Sequence, residues 1–240
     1  MSDYAIQFHN VCFQANDTKI INNLTASIHK GKITTLIGPS GAGKTTLLKL
    51  CNGLITATSG EILIHNQPIE TIEPTALRRS VGMALQAAPI LNSSVYDNLA
   101  LPRKLQNKEL TKEEAYNYLR DVGLAEDFLT KAARDLSGGQ KQKLSIARTL
   151  VNKSEILLLD EITSALDPKS LREIEDLIVS LNERFGVTII WITHNIEQAK
   201  RIGHYTWMLK SGELIEANET KKLFQSANEV VVQFFTQTQH

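Results

Sequence analysis

Apolar residues at Ile6, Phe8, Val11 and Phe13 nearly alternate with polar ones, the period-two pattern of a half-buried strand. Asn16-Asp17 supplies a turn before Ile20-Ile21, so a small antiparallel sheet is predicted to start the fold. The β-rich run Lys32 to Ile37 enters Gly38-Pro39-Ser40-Gly41, and Thr45 to Asn52 has helical composition, giving strand, glycine-rich loop and helix. Further strands fit Glu61 to His65 and Ser80 to Leu85, the latter ending at Gln86. From about Leu91 to Lys131 the pattern changes. Tyr116, Leu119, Val122 and Leu124 recur at close to helical spacing among Lys and Glu, predicting a separate helical lobe. Another helix, with Leu144, Ala147 and Leu150, follows Ser137-Gly138-Gly139-Gln140. Ile156 to Leu159 is uninterruptedly apolar, as expected of a strand covered on both faces. A helix over Ser170 to Arg184 and a strand over Val187 to Thr193 complete an alternation that predicts a parallel α/β sheet. The segment from Ala217 is expected to form a terminal helical cap.

Composition narrows the classes. Hydrophobic residues make up 42% of the 240-residue chain and charged residues 22%, which excludes a disordered or collagenous chain. Lys+Arg 26 balances Asp+Glu 26, so there is no global basic field of the kind that holds nucleic acid. Cys12 and Cys51 are the only cysteines, with no CxxC, so neither a disulfide framework nor a structural zinc site is indicated. The apolar runs are strand-sized and the first residues carry no positive charge, so any membrane role is expected to be peripheral.

The strongest chemical signal is Gly38-Pro39-Ser40-Gly41-Ala42-Gly43-Lys44-Thr45, which fits G-x-x-x-x-G-K-[ST] between a predicted strand and helix. In such a loop backbone N–H groups converge on phosphate oxygens and the helix start adds positive potential. The lysine reaches the β and γ phosphates and the hydroxyl of Thr45 ligates Mg²⁺; Thr46 continues the binding stretch. A second site is the pair Asp160-Glu161 at the carboxyl end of the apolar strand, where open parallel sheets hold ligands. Asp160 suits Mg²⁺, and Glu161 suits orienting or deprotonating an attacking water. Leu136-Ser137-Gly138-Gly139-Gln140 opens a helix and can offer backbone N–H groups and a Ser hydroxyl to an anion, although taken alone Ser-Gly-Gly reads first as a helix cap after a loop.

The order of phosphate loop, Gln86, LSGGQ, the Ile156 to Glu161 strand, Ser164-Ala165-Leu166-Asp167 and His194 resembles the ATP-binding subunits of ABC transporters over nearly the whole chain. The resemblance implies an α/β phosphate-loop NTPase core (1–89 and 140–240) with a parallel sheet, an N-terminal antiparallel β subdomain and an inserted α-helical subdomain (90–139). It implies ATP and Mg²⁺ as ligands, ATP hydrolysis, and a head-to-tail homodimer with each ATP held between the phosphate loop of one subunit and LSGGQ of the other. Phe13 would stack on adenine, or else belong to the core. Gln86 would touch Mg²⁺ and the water, Ser137 and Gly139 the facing γ-phosphate, within a signature that includes Gly138 and Gln140. Asp167 would cross the interface and His194 would contact the γ-phosphate. A separately encoded integral membrane permease is implied as partner, and with it a peripheral place on the cytoplasmic face of the plasma membrane. The apolar stretch Ala87 to Leu91 is either the groove receiving the permease or packing between lobes.

The chain departs from the commonest family pattern at Ile162, where proline is usual, and at Lys143, where arginine is usual. The segment Glu161-Ile162-Thr163-Ser164-Ala165-Leu166-Asp167, with Trp191-Ile192-Thr193-His194, resembles the small bacterial subunits proposed to drive iron or metal export. A small-solute importer for phosphate or an amino acid, and a soluble non-transport ABC ATPase, remain the other readings. The roughly 50 residues between Gln86 and LSGGQ are too few for the coiled coil of the chromosome-associated members.

Overall fold

A computed structural model describes residues 3–238. In chain order the elements are β1 (Tyr4–Ala15), β2 (Thr18–His29), β3 (Ile33–Ile37), α1 (Lys44–Cys51), β4 (Ser59–Ile64), β5 (Gln67–Pro68), α2 (Pro74–Ser80) and β6 (Val81–Leu85). They continue with α3 (Val95–Lys104), α4 (Lys112–Asp121), α5 (Gly138–Val151), β7 (Ile156–Asp160), α6 (Pro168–Phe185), β8 (Thr188–Ile192), α7 (Ile196–Ile202), β9 (Tyr205–Lys210), β10 (Glu213–Glu219), α8 (Thr220–Leu223) and α9 (Glu229–Thr238).

The strands form two sheets. One is a four-stranded antiparallel sheet of order β2-β1-β4-β5, and the other is six-stranded, of order β10-β9-β3-β8-β7-β6. All pairings in the second are parallel except β10 on β9. This is the α/β architecture with an antiparallel subdomain that the alternation predicted.

The continuous apolar strands divide their side chains by parity. Leu157, Leu159, Ile189 and Trp191 join a buried cluster with α3 to α6. Ile156, Leu158, Ile190 and Ile192 join another with α1 and the antiparallel sheet. Period-two geometry thus serves both faces of one sheet, which is why these runs are apolar at successive positions.

The helical segment shares the first of these clusters, since Val95, Leu99, Ala115 and Leu119 pack in the same body as Ala84, Leu157 and Trp191. The chain end differs from the helical cap expected from Ala217. Ala217, Asn218 and Glu219 are still in β10, pairing with Trp207, Thr206 and Tyr205, and helices follow only from Thr220. Buried β9 lends one edge to β3, and β10 satisfies the other.

The parallel strands place their carboxyl ends together. The turns after β3, β7 and β8 therefore converge, and they carry the phosphate loop, Asp160-Glu161 and Thr193-His194 respectively.

Candidate functional site

The loop after β3 is shaped by close backbone approach. Gly38 has φ +140° and its missing Cβ would lie 2.0 Å from the carbonyl oxygen of Leu209, so only glycine passes there. Gly43 caps α1 in the left-handed conformation, with space for a Cβ closed by the Ile20 carbonyl at 2.7 Å. The first N–H groups of α1 have no acceptor within the helix, and an anion gains from such a helix start.

Lys44 is nearly buried, and its Nζ donates to the carbonyls of Gly38 (2.8 Å) and Pro39 (2.9 Å). Burial lowers its pKa, while nearby Glu161 and Asp160 oppose the shift. Thr45 donates its hydroxyl to Asp160 Oδ1 at 3.1 Å. Burial raises the Asp160 pKa, the Thr45 hydrogen bond opposes this, and adjacent Glu161 adds to it. Ser40, Gly41, Ala42, Gly43, Lys44, Thr45 and Thr46, with Ile20, Glu161 and His194, line a cleft of about 360 Å³. Seven consecutive loop residues thus meet both turns from the other strands.

Glu161 occupies left-handed backbone (φ 51°), an arrangement that costs on the order of 1 kcal/mol and persists at functional sites when surroundings enforce it. Here its N–H donates to the Ile192 carbonyl at 3.2 Å, and its own carbonyl accepts from Ser164 N and Oγ. The carboxylate lies 2.7 Å from His194 Nε2. The His194 turn is fixed in turn by Asn195 N donating to Thr193 Oγ1 and Gln198 N donating to Asn195 Oδ1.

Gln86 donates through Nε2 to Ser164 Oγ at 2.9 Å. Its backbone carbonyl accepts from Gln142 Nε2 at 2.6 Å, which ties the segment after β6 to α5. Gln142, nearly buried, was not singled out by the sequence, because its role depends on a contact 56 residues away.

Ser137 caps α5 in a reciprocal box with Gln140: Gln140 N donates to Ser137 Oγ (3.3 Å) and Ser137 N donates to Gln140 Oε1 (2.9 Å). Ser137 and Gly138 are exposed, Gly139 is buried against Ser170, and none of the four lines the cleft. Asp167 caps α6, accepting from Lys169 N and Ser170 N, and hydrogen bonding from the Ser170 side chain, then from these backbone groups, holds its carboxyl below the usual range. Phe13 pairs with Ile21 across β1 and β2 and packs half-buried against the β cluster, while Ile20 lines the cleft.

Asp160 and Thr45 offer a carboxylate and a hydroxyl, hard oxygen donors of the kind Mg²⁺ takes, and among the described residues no cluster of His, Cys, Asp and Glu forms a complete metal cage. That fits a cation held by one or two protein oxygens plus phosphate. Among the described residues no helix is long and apolar enough to cross a membrane.

The ABC transporter family model matches residues 21–164. A putative ABC transporter ATP-binding protein, YjkB of Bacillus subtilis, is 45% identical over 86% of this chain and 82% of its own length. The phosphate import ATP-binding protein PstB of Pseudoalteromonas translucida is 39% identical over 93% and 86%. The probable iron export ATP-binding protein FetA of Escherichia coli is 34% identical over 88% and 95%. Among solved structures, CbiO1 of Clostridium perfringens, part of the transporter complex CbiONQ, superposes with TM-score 0.86 at 30% identity, covering 97% of this chain and 94% of that one. A dimeric ABC cassette in a post-hydrolysis state with ADP and Pi gives TM-score 0.79 at 30% identity, covering 90% and 98%. A phosphate loop, a strand-end acidic pair, LSGGQ and a histidine turn on this fold make the chain an ATP-binding, ATP-hydrolysing member of the ABC transporter family.

Proposed function

We propose that the chain works as a head-to-tail homodimer that hydrolyses Mg-ATP at two shared sites and drives a separately encoded integral membrane permease from the cytoplasmic face of the plasma membrane. The observation that carries this reading is the division of the motifs. The loop, Glu161 and His194 share one cleft, with Asp160 hydrogen-bonded to its lining residue Thr45, whereas exposed Ser137 and Gly138 start a helix that does not line it. The start of α5, where the helical segment 90–139 meets the core, thereby offers Ser137, Gly138 and the backbone of Gly139 and Gln140 to the γ-phosphate held by a facing copy, with Asp167 beside the same junction.

In this reading the loop N–H groups and Lys44 bind the β and γ phosphates, and Phe13 is offered to the adenine. Thr45, Asp160 and the Gln86 amide oxygen would hold Mg²⁺, which when bound neutralises charge on the phosphates. Glu161 accepts the proton of the water attacking the γ-phosphorus as the bond to ADP breaks. His194, 2.7 Å from that carboxylate, holds it in place and reaches the γ-phosphate. Loss of the γ-phosphate removes the anion that both halves share, and the dimer loosens.

Light scattering of wild type and Glu161→Gln with and without Mg-ATP, alongside phosphate release, tests this. Arrest of turnover together with an ATP-dependent dimer supports it. ATP binding without dimerisation, and with hydrolysis intact, sinks it.

For cargo we propose iron or another metal ion moving outward, on the Glu161-Ile162-Thr163-Ser164 and Trp191-Ile192-Thr193-His194 segments and the iron-export relative. The phosphate-import relative supports a small-solute importer as the second reading. Metal efflux from vesicles carrying the co-purified permease separates the two.

A further inference from the structure

Under the two turns that carry Glu161 and His194 lies a polar chain of buried side chains contributed by three separate segments. Thr163, Gln198 and Glu175 are all at least nine-tenths buried. The Gln198 amide meets the Thr163 hydroxyl through both of its polar atoms, Oε1 at 3.3 Å and Nε2 at 3.2 Å. Its Nε2 also donates to Glu175 Oε1 at 2.8 Å. Arg201 Nε donates to Glu175 Oε2 at 3.0 Å, a second Arg201 nitrogen reaches Oε1, and Arg172 lies 3.5 Å away. The two guanidinium groups give the buried Glu175 carboxyl charged hydrogen-bond partners, which an isolated buried Glu lacks.

Each member has a defined task. A carboxylate only accepts, so Glu175 forces the amino end of Gln198 toward α6 and fixes which way the amide lies. The fixed amide then holds the Thr163 hydroxyl, two residues past Glu161. The Gln198 backbone N–H binds Asn195, next to His194. One side chain and one backbone group of Gln198 therefore grip both turns.

We propose that Glu175 and Gln198 are positioning residues for hydrolysis, keeping the Glu161 carboxylate and the His194 ring in register without touching ATP. This rests on the roles given above to Glu161 and His194. Because Asp167 caps the start of α6, the same chain ties the register of those two groups to the helix expected at the dimer junction.

The test is steady-state ATPase of the full chain as wild type, Thr163→Val, Thr163→Ser, Gln198→Leu, Glu175→Gln and Glu161→Gln, with equilibrium ATP binding and melting temperature for each. Thr163→Val, Gln198→Leu and Glu175→Gln are expected to lose kcat by about tenfold or more, the scale of a sub-ångström to ångström misplacement, with ATP Kd unchanged within about twofold. Thr163→Ser, which keeps the hydroxyl, recovers most of the rate. Thr163→Val keeps the side-chain shape, so the test stands even where Glu175→Gln fails to fold. Normal kcat in Thr163→Val and Gln198→Leu overturns the proposal, as does a rate loss that merely tracks melting temperature and ATP affinity. If Glu161→Gln still turns over, the assignment of Glu161 fails and carries the proposal with it. If Glu161→Gln is inactive while Thr163→Val and Gln198→Leu are normal, the positioning role alone fails.

Discussion

His194 Nε2 and Glu161 Oε1 lie 2.7 Å apart, joining the end of β8 to the end of β7 across a cleft edge. His194→Ala leaves the Glu161 carboxylate unrestrained at that oxygen. We expect kcat to fall by roughly 10²-fold or more with ATP affinity close to wild type, the signature of an interaction that matters in the transition state. Single-turnover phosphate release checks it, and an unchanged rate refutes it.

Asp160 is held above its ordinary pKa of 3.8 by burial. Its folded pKa exceeds the unfolded value, so the folded chain binds the proton more tightly there. Its contribution to stability is present below pH 3.8 and is lost as pH rises through the folded pKa. At neutral pH the ionised group works against the fold. Asp160→Asn is therefore expected to raise the melting temperature at pH 7 while abolishing Mg-ATP turnover, with calorimetry from pH 3 to 7 showing the gain shrink toward acid. A lower melting temperature at pH 7 contradicts this.

Gly38→Ala puts a methyl group where the Leu209 carbonyl already is. A contact at 2.0 Å cannot be relieved by a rotamer, because both partners are backbone. A stability loss of about 3 kcal/mol or more is expected, together with loss of ATP binding. Urea unfolding at fixed pH measures it.

Asn98 is fully buried and its side chain accepts from Leu91 N and donates to the carbonyls of Leu91 and Ser94. Asn98→Ala leaves Leu91 N without its partner and removes one of the two donors at the Leu91 and Ser94 carbonyls, which keep the N–H groups of Ser93 and residue 98, and is expected to cost about 1–3 kcal/mol. Chemical denaturation gives the value directly, and a change below about 0.5 kcal/mol, the range of ordinary surface substitutions, rules the account out.

The same bonds make Leu91 the clean probe of a permease contact. Leu91 is 41% exposed and its backbone is held independently of its side chain, whereas Ile90 packs against the core. Leu91→Asp should leave soluble ATPase unchanged and reduce transport by the reconstituted complex. Equal loss of both activities argues against a docking role.

The phosphate loop and Asp160-Glu161 were legible because their chemistry is contained in a few consecutive residues at the ends of strands whose apolar pattern is unambiguous. Gln198 and Glu175 were not, since a Gln and a Glu on helices look like solvent-facing residues until the fold brings Thr163 35 residues back against one and places the other 23 residues from it. Strand β10 was read in part as helix from Ala217 because nothing local reveals that β9 needs an edge partner. Phe13 stayed ambiguous for a related reason: a strand aromatic beside Ile21 satisfies the core and the cleft side with the same alternation.

Lys44 enters the cleft with its ammonium already stripped of water and resting on two peptide oxygens. The cost of dehydrating that cation falls on folding, not on nucleotide capture. A phosphate oxygen arriving at the loop would trade places with a carbonyl instead of displacing a full hydration shell, so binding gains the difference between a charged and a neutral acceptor.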